Sequence, residues 1–296
     1  MGYTADDIVT RVQRIAAIPL NAPGFDSSTV LSIVNDELTS EVVPFLISLR
    51  GEWMIDKVDT LIDGSTEFFN IPAQAVGGLL RDVQIVNKDS DAMETDDIYY
   101  DLQRVDPGDA QNAHFPAFVL RGDRVQVVSV ESYKNYYLRL TYWRRPNELT
   151  LITSARQVVT VGTGSVTVAS IPSSWTMAPT LDVIQSTPQF RAKGEAIATT
   201  IIGTTITGTF PADIAVGDWL ALTGYSPVAQ IPDICYPYLA QSAALKVLET
   251  YPDAGGLAAV GKKLQLIMAR LEQVMTTRVE GAPQSFGRND SALDFV

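Results

Sequence analysis

The sequence predicts an α+β fold: a helical bundle formed by both chain ends, an elaborated β region between them, and an inserted small β-barrel or sandwich subdomain. Residues 4–50 and 231–277 carry apolar side chains at helical spacing, so each stretch has a face that must be buried. Residues 52–228 break instead into short strand-like runs separated by Gly, Pro and Asp turns. Within that stretch, the evenly spaced Thr/Ile/Val-rich runs after Arg156 suit a small β unit of their own. The expected divisions are 1–51 for the N-terminal helices, 52–150 for the β-rich region and 151–229 for the inserted subdomain. Residues 230–278 supply the C-terminal helices that complete the core, and 279–296 a C-terminal tail.

Thr4, followed by Ala5, Asp6 and Asp7, reads as a helix start, with acids at the positive end of the helix dipole. Ile8, Val12 and Ile15 form its stripe, and Pro19 stops it. Asn21–Asp26 is a linker, and Asp26, Ser27 or Ser28 can cap a second helix. There Val30, Leu31, Val34, Leu38, Val42, Phe45, Leu46 and Leu49 recur at spacings of three and four. Pro44 interrupts this pattern and is expected to kink the helix or start a new one, because it lacks a backbone donor and crowds the preceding turn.

From Trp53 the period changes. Trp53–Ile62 and Glu67–Ile71 flank Asp63-Gly64-Ser65, which reads as a hairpin, and Leu79–Val86 follows as a strand. Residues 89–109 hold eight acids and one base, Arg104, and read as an exposed acidic loop around Ile98–Leu102. Phe118–Leu120 and Val125–Val130 flank Arg121-Gly122-Asp123, a hairpin signal, and Tyr136–Trp143 alternates as a strand. In the subdomain, Gln157–Val161 and Ser165–Ala169 are joined by Gly162-Thr163-Gly164; Leu181–Gln185, Ile197–Ile202, Thr205–Thr209 and Asp218–Leu222 complete the series. Ile231-Pro232-Asp233 opens a helix bearing Tyr238, Leu239, Leu245 and Leu248, with Ala240, Ala243 and Ala244 permitting close packing. After Pro252-Asp253 comes a last helix, marked by Leu257, Val260, Leu264, Ile267, Leu271 and Val274.

Charge and composition exclude several functions. A net charge of −12 argues against a dedicated nucleic-acid-binding face, which needs clustered Lys and Arg, but it suits a wall past which DNA slides. The charged fraction, 19%, is low, as expected when part of the surface is buried against neighbours. With one cysteine, Cys235, and one histidine, His114, the chain can form neither an internal disulfide nor a Cys/His zinc site. Met1–Asp7 lacks the basic start and apolar run of a signal peptide, and no apolar run is long enough to cross a bilayer, so a soluble protein is expected.

Candidate chemistry is thin. His114 sits in a loop without an activating partner, and Cys235 lies between apolar neighbours where an inert buried thiol is expected. Asp96, Asp97 and Asp101 are oxygen donors suited to Mg²⁺ or Ca²⁺, and a carboxylate-metal hydrolase is the enzymatic rival. The calcium-loop register is missing there, so an acidic surface or channel lining is preferred. Gly162-Thr163-Gly164 lacks the third glycine and the helix of a dinucleotide loop. Arg144-Arg145 is a basic pair able to meet phosphate or an acidic neighbour. The expectation is a protein without catalytic activity, metal or cofactor.

Several segments, in order, resemble the head-to-tail connector (adaptor) proteins of tailed bacteriophages. They are Leu31-Ser32-Ile33-Val34-Asn35-Asp36-Glu37-Leu38 with Val42-Val43-Pro44, Ile71-Pro72 with Gly78-Leu79-Leu80-Arg81-Asp82-Val83, and Tyr142-Trp143-Arg144-Arg145-Pro146-Asn147-Glu148-Leu149. Val216-Gly217-Asp218-Trp219, Ser226–Pro232, Leu239-Ala240-Gln241 and Arg278-Val279-Glu280-Gly281-Ala282-Pro283 continue the resemblance towards the C-terminus. It implies a virion protein made in the host cytoplasm, one subunit of a homo-oligomeric ring, a dodecamer, fixed beneath the portal protein at the head-tail junction. The ring would meet a downstream tail or nozzle protein, and DNA would cross its lumen without specific binding. The tail, through Arg278, Phe286, Leu293, Phe295 and Val296, is the expected portal contact. The β part is larger than in the small, mostly helical connectors, which leaves room for an alternative: a tail-completion or minor capsid protein whose β subdomain binds a fibre or host component.

Overall fold

The computed structural model describes residues 3–18, 24–49, 54–88, 98–109, 115–186, 192–250 and 254–275. They form a mixed α+β structure that includes a closed six-stranded barrel. Helix α1 is Ala5–Ile15, and a reciprocal capping box starts it: Asp7 N donates to Thr4 Oγ1 (3.2 Å) and Thr4 N donates to Asp7 Oδ2 (3.0 Å). It ends ahead of Pro19, where Ala17 turns left-handed at φ 54°. Helix α2, Ser27–Glu37, is capped by Asp26, whose Oδ1 accepts from Thr29 N (3.0 Å).

A new α-helical element begins at Val43, beside Pro44, which is one of the two outcomes expected of that proline. Helix α2 runs into a π-helical stretch, Leu38–Val42, and on into α3, Val43–Leu49. Val43 N reaches back to Leu38 O, and the wider turn relieves the crowding a proline imposes on the carbonyl four residues before it. The hydroxyls of Thr39 and Ser40 donate to Asn35 O (3.0 Å) and Asp36 O (2.8 Å), supplying carbonyls along this altered ladder.

Near the other end a 3₁₀ turn, Asp233–Cys235, leads into α4, Tyr236–Thr250, and α5, Ala254–Met275, runs back along it. Ten of the 15 residues of α4 are buried, which makes it the centre of the helical layer. Ile8 and Val12 of α1, Val34 of α2, Leu46 of α3, Leu239 and Val247 of α4 and Leu271 of α5 belong to one apolar cluster. Between α2 and α4, the buried Glu37 carboxylate accepts from the Ser242 hydroxyl.

The first β unit comprises β1 (Ile55–Leu61), β2 (Phe68–Asn70), β3 (Ala75–Asn87), β4 (Ile98–Asp101), β5 (Gln103–Arg104), β6 (Ala117–Arg121), β7 (Arg124–Val127) and β8 (Tyr137–Arg144). Two four-stranded sheets result, in the orders β1-β8-β3-β4 and β2-β7-β6-β5. The chain crosses between them at Leu102, whose N–H donates to Val83 O, while Gln103 N donates to Pro116 O (both 3.0 Å). Ile85, Leu138 and Leu140 from one sheet meet Phe69, Phe118, Val125 and Val127 from the other in a shared core.

Two hairpin expectations part company here. Arg121-Gly122-Asp123 does join paired strands, with Leu120 opposite Val125. Asp63-Gly64-Ser65 does not, because β1 pairs with β8 and β2 with β7. It is a turn linking two sheets, held by Asp63, whose Oδ1 accepts from Ser65 N (2.8 Å) and Thr66 N (2.7 Å). Gly64 has φ 82°, and a Cβ there would stand 3.2 Å from Lys134 Cβ, so both conformation and space call for glycine.

After β9 (Glu148–Leu149) the chain enters the barrel: β10 (Arg156–Gly162), β11 (Ser165–Val168), β12 (Thr180–Ile184), β13 (Ala192–Ile202), β14 (Thr205–Gly208) and β15 (Trp219–Leu222), closing in the order β10-β11-β14-β13-β12-β15. Val158, Val166, Val168, Leu181, Val183, Ile201, Ile206 and Leu220 fill it. Strand β16 (Tyr225–Ser226) then pairs in parallel with β9 and leads back to the helices.

One edge of the first unit is tuned electrostatically. Arg139, buried on β8, grips Asp59 on β1 with two bonds (Nε–Oδ1 2.7 Å, Nη2–Oδ2 2.8 Å), and Lys88 adds a third at 2.7 Å. The Arg139 bonds hold the Asp59 carboxyl well below its ordinary 3.8, at about 2, against the opposing effect of burial. A lowered folded-state pKa gives stability that is present above pH 3.8 and lost as pH falls towards 2. Asp59→Asn is therefore expected to lower Tm at pH 7 and to shrink the fall in Tm between pH 4 and 2, as read by circular dichroism; an unchanged acid limb contradicts the assignment.

Candidate functional site

The helical layer, the first β unit and the barrel meet at the segment that leaves β8, Arg144–Leu149. Arg144 pairs with Asp56 of β1 (3.1 Å) and with Glu195 of the barrel strand β13. Glu195 also accepts from Gln74 Nε2 (3.0 Å), so two groups of the first β unit answer this barrel carboxylate. Asn147, 5% exposed, donates its backbone N–H to Gln230 Oε1 (2.8 Å) and its side-chain amide to Asp182 Oδ2 (2.9 Å). Asp182, 1% exposed on β12, also accepts from Ala196 N and Gly224 N (both 2.8 Å). A carboxylate so deep is tolerated because three N–H groups point at it.

On the helical side, Asn35 of α2 binds the backbone of Leu149 twice: its amide donates to Leu149 O (3.0 Å) and its oxygen accepts from Leu149 N (2.8 Å). The side chain thus imitates a strand partner for β9. Asp6, in the first turn of α1, accepts from Ile152 N (2.8 Å), and Ala5 N donates to Pro227 O (2.8 Å), so the start of α1 is tied to both entrance and exit of the barrel. Above the junction lies a cleft of about 480 Å³ with Asp36, Thr39, Arg145, Glu148 and Tyr225 on its walls. Its floor, Asn147, is fully engaged. The exposed Asp36, Arg145 and Glu148 offer charge for docking, but no nucleophile is set against a base there.

The residues singled out in the sequence do not converge on this junction, apart from Arg144 and Arg145. The first is consumed by ion pairs, and the second is exposed at the cleft. Asp101 is exposed on β4, where its Oδ1 accepts from Gln84 Nε2 (2.7 Å) across the ladder. Asp96, Asp97 and His114 lie outside the described residues, as do Arg278, Phe286, Leu293, Phe295 and Val296. Cys235 is buried, 3.6 Å from Met275 Sδ. Among the described residues no three His, Cys, Asp or Glu side chains are grouped to hold a metal ion, and no helix is long and apolar enough to cross a membrane.

Asn35, Asn147, Asp182 and Gln230 carry the junction and were not foreseen as doing so. The available signal was a lone acid in an apolar strand, Leu181-Asp182-Val183-Ile184, and the polar Asn147 within a segment noted only for its resemblance. Open surface lies elsewhere. Leu266 (56% exposed) and the exposed Val274, Lys262, Lys263 and Arg270 occupy the side of α5 turned away from α4. No protein-family model matches the chain, and no curated protein matches it.

Asp182→Ala leaves buried donors without an acceptor and should cost about 2–4 kcal/mol in urea unfolding. Asp36→Ala, at the exposed cleft wall, should stay within about 0.5 kcal/mol of the parent. Equal losses in the two variants contradict the assignment of the junction as the structural pivot.

Proposed function

We propose that the chain is a structural virion protein, one subunit of a ring-shaped head-to-tail connector that joins the portal to the tail and continues the DNA channel. In this reading the helices of both chain ends form a helical bundle that builds the ring wall, a dodecamer, and the β units face outward or towards the downstream tail or nozzle protein. The C-terminal tail docks on the portal through Arg278, Phe286, Leu293, Phe295 and Val296. Asp96, Asp97 and Asp101 belong to an acidic surface that keeps passing DNA from sticking. The protein carries out no catalysis, needs no cofactor, and resides at the head-tail junction of the virion.

The observation that carries the reading is the helical layer. Side chains from helices at both ends of the chain share one apolar cluster, and its last helix, α5, keeps exposed Leu266 and Val274 on its surface and comes last in the sequence before residues 279–296. The polar groups of the junction support it, since they are spent on fixing three units to one another, as a load-transmitting part requires. The order of the segments that resemble connectors supports it independently. Weak contacts repeated around a ring add up through multivalency, so each tail needs only modest affinity.

Deleting residues 282–296 is expected to reduce capture by the portal of the same genome by roughly tenfold or more, because avidity multiplies the loss per copy. Capture equal to that of the full chain removes the docking assignment.

A further inference from the structure

The helical layer carries opposite charge on its two outer sides. Residues 15–49, which include α2, the π-helical stretch and α3, hold the acids Asp26, Asp36, Glu37 and Glu41 and no base. Glu37 is buried against Ser242, and the other three are exposed. Helix α5 has the reverse balance, with Lys262, Lys263 and Arg270 against the single acid Glu272, in a chain whose net charge is −12. Helix α4 packs against α1 and α2 and also against α5, so it stands between the two charged sides.

Neither side is neutralised from within. Among the described residues no ion pair reaches Lys262, Lys263 or Arg270, and none reaches Asp36 or Glu41. Lys246 of α4, which lies within the field of Glu37 and Glu41, is paired with Glu249 (3.1 Å). Asp36 shares the cleft with Glu148 and Arg145, so acid outnumbers base there too. Between the charges, both surfaces are shaped to be covered by a helix. At 3.6 residues per turn, the exposed Ala258, Ala259, Leu266 and Ala269 fall on the same side of α5 as Lys262 and Arg270. Ser28 and Ser32 fall on the side of α2 that carries Asp36. Small side chains on both let helix axes approach to about 8–10 Å, with Leu266 as the apolar ridge.

We infer that the basic side of α5 docks on the acidic side of α2 in the next copy of the chain, a head-to-tail contact that joins one helical layer to another. The inference rests on the ring reading above and names its subunit interface. Two different faces meet, and they lie on different sides of α4, so a single pair of copies cannot satisfy both. Assembly therefore continues from copy to copy until a ring closes. Charge selects the partner: every copy brings an acidic side for each basic one, in a chain otherwise acidic enough to repel its own kind. DNA answers the three bases but not Leu266 and the alanines among them, and it leaves the acidic side of α2 unanswered.

The test is charge reversal with rescue, read by sedimentation equilibrium of full chains. One variant carries Lys262→Glu and Lys263→Glu on α5, the other Asp36→Lys and Glu41→Lys on the α2 side. Thermal unfolding checks that both fold like the parent; Lys263→Glu alone or Asp36→Lys alone replaces a pair that does not. The parent is expected to associate beyond a dimer and each variant alone at least roughly tenfold more weakly. An equal mixture of the two regains the parent's association, because each copy then meets opposite charge on its neighbour. A parent that stays monomeric to about 100 μM, variants that associate like the parent, or a mixture no stronger than its components overturns the inference. An α5 variant that loses DNA retention or portal capture while its self-association is unchanged also overturns it, and assigns the basic side to that partner. Portal capture by the parent reports separately on the connector reading: rescued association without capture keeps this contact and removes the connector, whereas capture by variants of unchanged association keeps the connector and removes this contact.

Discussion

The whole arrangement hangs on a six-residue stretch, Arg144–Leu149, that leaves one β unit and must satisfy two others at once. Burying Asn147 and Asp182 without partners would cost several kcal/mol, and their bonds come from places far apart in sequence: Gln230 before α4, Gly224 before β16, Ala196 on β13. The two bonds of Asn147, to Gln230 and to Asp182, are available only when the barrel, the segment leaving β8 and the approach to α4 sit in one relative position. Polar groups in an interior define geometry more sharply than apolar contacts do, because a misplaced methyl loses little and a misplaced donor loses its bond. Arg144, held between Asp56 and Glu195, repeats the same constraint at the rim.

From that pivot the surfaces sort themselves. The more deeply placed charges near the junction are spent on internal pairs, as in Arg144–Glu195 and Lys193–Asp218, while Asp36, Arg145 and Glu148 stay exposed at the cleft. Residues 157–181 and 196–212 of the barrel carry none, and the outer side of α5 mixes Lys262, Lys263 and Arg270 with Leu266. A chain that binds its units rigidly and leaves separate, chemically distinct faces open is suited to contact several neighbours at fixed spacing, which is the mechanical demand a connector meets.

Local signals in the sequence located most elements, and the failures share one cause. The Thr4 and Asp26 caps and the hairpins at Arg121-Gly122-Asp123 and Gly162-Thr163-Gly164 depend on residues a few positions apart, and sequence holds that information. Asp63-Gly64-Ser65 looked like a hairpin because its turn chemistry is genuine, yet β1 finds its partner in β8 some 80 residues on. Pro44 signalled trouble in the helix but not the π-helical remedy, which depends on how α2 and α3 must both face α4. Asp182 could not be recognised as structural until Asn147 and Gly224 were beside it.

Electron microscopy of the purified chain, alone and mixed with the portal of the same genome, tests the central claim most directly. The account predicts rings of the chain, free or formed on the portal, whose central opening is in register with the portal channel. Particles that stay single in both samples, or rings that ignore the portal, contradict it.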